Sequence, residues 1–110
     1  TDLPVIITDR DHVISVSGIS KKEYLERRIS SELETLMESR TNYTASADEE
    51  PVYPISGMSR EAAVAYPIIG SGDVSGCVVL LLNSDGSLPS ETERKLVAVA
   101  ASFLGKQMEE

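Results

Sequence analysis

The stretch that decides the fold is Val74-Ser75-Gly76-Cys77-Val78-Val79-Leu80-Leu81-Leu82. Its last six residues, Cys77 to Leu82, are all apolar. Such a run is too short to cross a membrane, which takes about 20 residues, and suits one strand covered on both faces. We therefore predict a central strand here, and we expect a charge within it to unfold the domain.

Composition limits the classes of function. The 110 residues fit one domain, and 18 acidic against 10 basic residues give a formal net charge of -8. That charge repels phosphate backbones, which argues against direct DNA or RNA binding by this segment. The single cysteine cannot form an internal disulfide or a multi-thiolate zinc site. With no signal-like start and no membrane-length apolar run, we predict a cytoplasmic protein without a membrane partner.

The first third of the chain predicts a hairpin and two short helices. Val5–Thr8 and His12–Ser17 are β-rich runs around an Asp-rich turn. Ser20 and Glu23 form a capping-box pattern, which predicts a helix running to about Arg27. The same pattern starts at Ser31, and Leu33, Leu36 and Met37 give one apolar stripe, which predicts a second helix ending near Ser39.

For residues 40–61 we predict an irregular loop that is either mobile or a binding lid. It contains one weak strand at Val52–Ile55, which we place at a sheet edge because Pro54 has no N–H to pair. Ala62–Ile69 reads as the next strand, which Gly70–Asp73 turns back antiparallel into the central one. Pro67 is predicted to lie at a bulge or a pause in the pairing.

A closing helix is predicted from the capping box at Ser90 and Glu93. Its apolar side chains spread over an arc of roughly 200°, whereas one sheet covers a stripe nearer 100°. We therefore predict that the helix also packs against its own copy in a homo-oligomer, since two-fold contacts are the commonest. The predicted interface residues are Leu96, Val99, Ala100, Phe103, Leu104 and Met108.

No residue pattern indicates catalysis, a metal site or a cofactor. His12 stands alone beside a turn, and Cys77 lies inside the apolar strand, where a thiol is more often inert. Gly70, Gly72 and Gly76 precede a strand, whereas a phosphate-binding loop opens a helix. The Asp48-Glu49-Glu50 run lacks the ligand spacing of a calcium loop. We predict a non-enzyme.

A small-molecule pocket is the one binding site that the residues suggest. Aromatic, thioether and guanidinium side chains gather in or near the irregular segment and could line a pocket under the loop, although ordinary packing explains them equally well. The candidates are Tyr43, Tyr53, Met58, Arg60 and Tyr66.

The order of elements resembles a GAF domain, an antiparallel sheet flanked by helices. The resemblance lies in Tyr66-Pro67-Ile68-Ile69, in the turn and strand from Gly72 to Leu80, and in the helix from Ser90 to Leu104. It implies an α+β fold with a ligand site between the sheet and a layer of helices and loops. GAF domains bind cyclic nucleotides, tetrapyrroles or amino acids, and no signature here selects among them. A GAF branch that reduces methionine sulfoxide needs several thiols, whereas this chain has only Cys77.

Further local matches are similar to the C-terminal half of a family of sporulation transcription regulators of endospore-forming bacteria. They are Asp9-Arg10-Asp11, Val16-Ser17-Gly18, Ser20 to Leu25, Ile29-Ser30 and Ala101 to Glu109. The resemblance implies that residues 1–110 are one GAF-like regulatory domain of a forespore regulator. A swapped-hairpin DNA-binding domain and a preceding helix are expected upstream of Thr1, so that DNA is contacted only there.

Two hypotheses follow. In the first, the domain senses an unidentified small molecule and transmits it through paired helices to forespore genes that depend on a late sigma factor, as activator or repressor. In the second, the pocket is filled by side chains and the domain is a ligand-free dimerisation scaffold. An enzymatic alternative rests only on His12 and Cys77.

Overall fold

A computed structural model describes residues 3–107 of the chain. The fold is α+β, as predicted, with a five-stranded antiparallel sheet in the order β2-β1-β5-β4-β3. The strands are β1 Val5–Thr8, β2 Val13–Ser17, β3 Tyr43–Thr44, β4 Ala62–Gly70 and β5 Asp73–Leu81; the helices are α1 Lys21–Tyr24, α2 Ser31–Glu38 and α3 Glu91–Gln107. Within this described part, no helix has the length and apolar character needed to cross a membrane.

The central position of β5 confirms the prediction from the apolar run. It lies between β1 and β4, and Val79 is 0% exposed. Val79 packs on one face with side chains from α1 and α2, whereas Val78 packs on the other face beneath α3. The strand ends at Leu81, one residue before the end of the apolar run.

A close approach of β1 to β5 depends on Gly76. A Cβ atom at this position would collide with the backbone carbonyl of Thr8. Any side chain larger than hydrogen would push the two strands apart, so Gly76 is required by packing rather than by a turn.

Both predicted hairpins are present. β1 and β2 pair directly, and β4 returns as β5 through Ser71 and Gly72, whose positive φ values of 54° and 82° are typical of a type I′ turn. The predicted irregularity at Pro67 is wrong, because Pro67 stays in register with Cys77 and the shift falls between Ile68 and Ile69. Since β3 pairs only with Val64 and Ala65, no neighbouring strand needs an N–H from Pro67 on the outer edge.

The first helix is shorter than predicted. α1 ends at Tyr24 instead of Arg27, and the Ser20 side chain makes no capping hydrogen bond. The next residues pair with the outer edge of β2: the Glu26 N–H donates to the Val13 carbonyl, and the Val13 N–H donates to the Arg27 carbonyl, both at 2.9 Å. Satisfying the edge of β2 ends the helix, because buried backbone groups need partners.

α2 begins one residue earlier than its sequence pattern indicated. The capping side chain is that of Ser30, whose Oγ accepts from the Leu33 N–H at 3.1 Å, and not that of Ser31. Leu33 and Met37 are buried against the sheet, and the helix ends at Glu38, next to the predicted end near Ser39.

The predicted edge strand at Val52–Ile55 is wrong, because β3 takes that place at Tyr43–Thr44. Residues 52–56 instead pair with residues 28–30, which lead into α2, and form what we call the strap. The Ser30 N–H donates to the Pro54 carbonyl at 2.9 Å, and the Ser56 N–H donates to the Arg28 carbonyl at 3.0 Å. This pairing inserts Ile55 into the core at 2% exposure, which favours the strap over a sheet position.

α3 begins with the predicted capping box. The Glu93 N–H donates to Ser90 Oγ at 3.1 Å, and the Ser90 N–H donates to Glu93 Oε1 at 2.9 Å. The helix lies on β4 and β5 and buries Val97, Ala101 and Gly105. A Cβ at Gly105 would meet the Ile69 carbonyl, so this glycine sets how closely the helix approaches the sheet.

We expect Val79→Asp to abolish cooperative folding. Burying an unpaired carboxylate costs several kcal/mol, comparable to the roughly 5–15 kcal/mol stability of a whole domain. Ile14→Asp, at an exposed position on β2, is the matched control and should change stability by only about 0.5 kcal/mol. Thermal unfolding followed by circular dichroism measures both, and a cooperative transition near the wild-type temperature for Val79→Asp would contradict the central position of β5.

We expect Cys77 to react with a thiol reagent only after unfolding. Its side chain is buried, and burial raises the pKa of the thiol to about 12, so almost no thiolate exists near neutral pH. Labelling with a chromogenic disulfide at pH 8 across a urea series should follow the unfolding transition. Rapid labelling in the absence of urea would show that the core around β5 opens locally.

Candidate functional site

The surface of α3 that faces away from the sheet carries a row of apolar side chains. Leu96, Val99 and Phe103 are 52%, 66% and 60% exposed. Their spacing of three and four residues places them on one side of the helix. We call these three residues the apolar stripe. They are three of the eight large apolar side chains that residues 3–107 leave exposed, and the other five are scattered through β2, β4 and the loops.

The other predicted interface residues lie beside the stripe or outside the described part of the chain. Ala100 and Leu104 are half-buried and pack against the cluster beneath α3. Met108 lies outside the described residues. The predicted wide apolar arc therefore divides into a face that covers the sheet and a face that no part of residues 3–107 covers.

The five predicted ligand residues do not form one cluster. Tyr53 and Met58 line the same groove. Tyr43 is buried in the core, where burial raises the pKa of its hydroxyl, and a hydrogen bond with the backbone of Val52 opposes that shift. Tyr66 packs on the opposite face of the sheet, beneath α3.

Arg60 lies elsewhere and bonds to Leu82 and Tyr24. Its Nε donates to the Leu82 carbonyl at 3.1 Å, and its Nη1 lies 3.4 Å from the Tyr24 hydroxyl. It lines a separate depression of about 250 Å³ with Asn83 and Ser84. The guanidinium therefore fastens the end of β5 to α1 and does not face Tyr53 or Met58.

The groove that holds Tyr53 and Met58 lies between the strap and the start of α2, and we call it the strap groove. Its volume is about 410 Å³, within the usual range for small-molecule sites. The side chains that give it its chemistry are Ser31, Glu32, Tyr53, Ile55, Met58 and Ser59. The groove is open to solvent along the strap.

The space beneath the strap is filled by the chain itself. Ile55 packs with Ile29, Leu33 and Tyr43 in the core cluster on that face of the sheet. A ligand could therefore lie along the strap without displacing any core side chain, whereas a ligand beneath it would have to replace Ile55.

A third depression, of about 200 Å³, lies at the other end of α2. Arg10 and Arg40 share it with the acidic side chains of Glu34, Glu38 and Asp73. The Arg40 guanidinium donates to the Gly72 carbonyl, which ties the end of α2 to the β4–β5 turn. This depression therefore carries charges of both signs. Among the described residues that line it, only Met37 and Val74 are apolar.

The two residues on which an enzymatic role would rest lie in different environments. His12 is exposed at the β1–β2 turn, where the Asp9 carboxylate accepts the backbone N–H groups of Asp11 and His12, both at 2.7 Å, and these bonds lower the pKa of Asp9. Cys77 is buried within β5. Among residues 3–107, no three His, Cys, Asp or Glu side chains lie close enough together to hold a metal ion.

Sequence reasoning missed Glu32 and the strap. Glu32 occupies the first turn of α2, and its Oε1 lies 3.3 Å from the Tyr53 N–H, which links helix and strap. The Tyr53-Pro54 pair was the available signal, because a residue that precedes a proline is restricted to extended backbone. That signal gives no partner, and the pairing with Arg28–Ser30 is a tertiary contact.

Residues 1–109 match the family model described as stage V sporulation protein T C-terminal, transcription factor. Stage V sporulation protein T of Bacillus subtilis (strain 168) is 40% identical to this chain over 108 residues, which cover 96% of this chain and 59% of the relative. The chain thus spans about three fifths of that relative, and the predicted resemblance to sporulation regulators is confirmed. The chain belongs to the family of stage V sporulation protein T C-terminal domains.

Proposed function

We propose that this chain is the assembly domain of a sporulation transcription regulator and that two copies pair through the apolar stripe. The observation that carries this proposal is the row of Leu96, Val99 and Phe103, exposed on the outer side of a helix whose inner side already covers the sheet. DNA contact belongs to a region outside this chain, because a net charge of -8 disfavours binding to phosphates.

The spacing of the stripe suits helix pairing. Leu96, Val99 and Phe103 occupy successive a, d and a positions of a heptad, the pattern by which side chains of one helix insert between those of another. Full burial of each such side chain is worth about 1.5–3 kcal/mol. Half-buried Ala100 and Leu104 extend the stripe toward the sheet, so a partner helix could also cover their exposed edges.

Pairing of two copies would bring two DNA-binding regions together in one dimer. Binding of the first region raises the effective concentration of the second, so affinity for a two-part DNA site increases without any new contact in this domain. A two-fold contact between identical stripes also fixes a symmetric arrangement of those regions.

We expect Val99→Glu to weaken self-association strongly while leaving the fold intact. The side chain is exposed in the single chain, but a carboxylate facing its own copy would have to lose water and meet a like charge. Leu88→Glu, an exposed apolar residue before α3, is the matched control. Sedimentation equilibrium should give a dimer for the wild type and for Leu88→Glu, and a monomer for Val99→Glu. A monomeric wild type at high micromolar concentration would refute the assembly proposal.

The second candidate function is sensing of a small molecule in the strap groove. It is favoured by one observation, that Tyr53 and Met58 line an open groove against the start of α2. A ligand there would contact both the strap and the helix and could shift the domain between two arrangements, provided that it binds one of them more tightly. Because Ile55 fills the space beneath the strap, we place assembly first and sensing second.

We expect at least one compound in a thermal-shift screen of nucleotides, amino acids and spore metabolites to raise the melting temperature. A ligand at 100 times its Kd adds about 2.7 kcal/mol of stability. Tyr53→Ala should remove the ligand-induced shift. Tyr66→Ala, on the opposite face of the sheet, should keep it. If no compound stabilises the wild type, the domain is better described as a ligand-free scaffold.

A further inference from the structure

We propose that the strap groove selects a positively charged amphipathic small molecule, an amine attached to an apolar or aromatic group. Glu32 would accept the ammonium group, and Tyr53 and Met58 would contact the apolar part. This inference rests on the sensing function proposed above and goes beyond it by naming the chemical class of the ligand.

The lining of the groove is apolar on one side and acidic on the other. Tyr53 and Met58 contribute the accessible apolar surface, and Ser31 and Ser59 contribute hydroxyl groups. Glu32 is the one charged side chain among the described residues that line it. A groove with a carboxylate, and without a lysine or arginine in that lining, attracts cations and repels anions.

The start of α2 does not reverse this preference. A free helix N-terminus attracts anions through its unpaired N–H groups and its dipole. Here Ser30 Oγ already accepts the Leu33 N–H at 3.1 Å, and Glu32 and Glu34 place two carboxylates in the first turn. The chain as a whole carries a net charge of -8. A phosphate in the groove would therefore meet negative charge, with no cationic side chain among the described residues that line it.

Glu32 keeps the capacity to accept a ligand. Its Oε1 lies 3.3 Å from the Tyr53 N–H, a long hydrogen bond, and the residue is exposed. A carboxylate has about four lone-pair positions, so several stay available for an ammonium group. This contact holds the carboxylate at the backbone of Tyr53, whose side chain lines the same groove, and an aromatic ring close to an ammonium adds a cation–π attraction.

Three probes of similar shape and different charge test the proposal on the 110-residue chain. They are phenethylamine, which is protonated at neutral pH, 2-phenylethanol, which is neutral, and 3-phenylpropionate, which is an anion. Binding is followed by amide chemical shifts in a titration of the ¹⁵N-labelled protein. We expect phenethylamine to shift Glu32, Tyr53 and Met58 most, to bind up to about fivefold more tightly than the alcohol, and to lose this advantage at high salt. The anion should not bind.

The variants Glu32→Gln and Glu38→Gln separate charge in the groove from charge elsewhere on α2. Glu32→Gln should lower the affinity for phenethylamine to that for 2-phenylethanol without changing the latter. Glu38→Gln, whose side chain lines the depression at the other end of α2, should change neither. Amide spectra of both variants that match the wild type outside the groove establish that the fold is kept.

The outcomes distinguish this inference from the function on which it rests. Equal affinity for the amine and the alcohol would keep the groove as a binding site and overturn the preference for a cation. Tighter binding of the anion, or of a cyclic nucleotide added as a fourth probe, would overturn that preference as well. Absence of shifts at groove amides with all four probes, together with a thermal-shift screen without hits, would overturn sensing at this groove.

Discussion

Burial of β5 on both faces is the constraint on which the rest of the structure depends. A strand whose consecutive residues Val78 and Val79 are both shielded from water needs a layer on each side and a strand on each edge. β1 and β4 pair with the two sides of β5, and Gly76 lets the backbone of β1 approach β5 closely. The two layers differ in construction, with short helices and the strap on one side and α3 alone on the other.

Because α3 covers its face of the sheet as a single helix, residues 3–107 leave its outer side uncovered. α3 lies over β4 and β5, and Gly105 brings it near the Ile69 carbonyl. Its inner residues finish the core, yet Leu96, Val99 and Phe103 stay in water. Apolar side chains repeated at heptad spacing on an exposed helix face are the pattern by which helices pair. The assembly function proposed above uses this surface.

The strap groove lies in the layer that α1, α2 and the strap form on one face of the sheet. α1 and α2 are short, and the strap adds Ile55 to the core cluster that their side chains form on this face of the sheet. The strap reaches α2 through backbone pairing with Arg28–Ser30 and through Glu32, and the gap between them is the strap groove. The side chains that line the groove belong to the strap and to the start of α2, two segments that lie together because Ile55 is buried in the core.

The sequence by itself determined the α+β fold, the central strand, the two hairpins and the capped closing helix, because local apolar runs, turn residues and capping boxes encode these features over a few residues. It also indicated the excess of apolar surface on α3. Only the tertiary structure decided where α1 ends, that Tyr43–Thr44 and not Val52–Ile55 forms the edge strand, and that Tyr53 and Met58 share a groove while Arg60 and Tyr66 lie elsewhere. Each of these depends on pairing between residues distant in the chain, in which competition for buried backbone partners outweighs local preference.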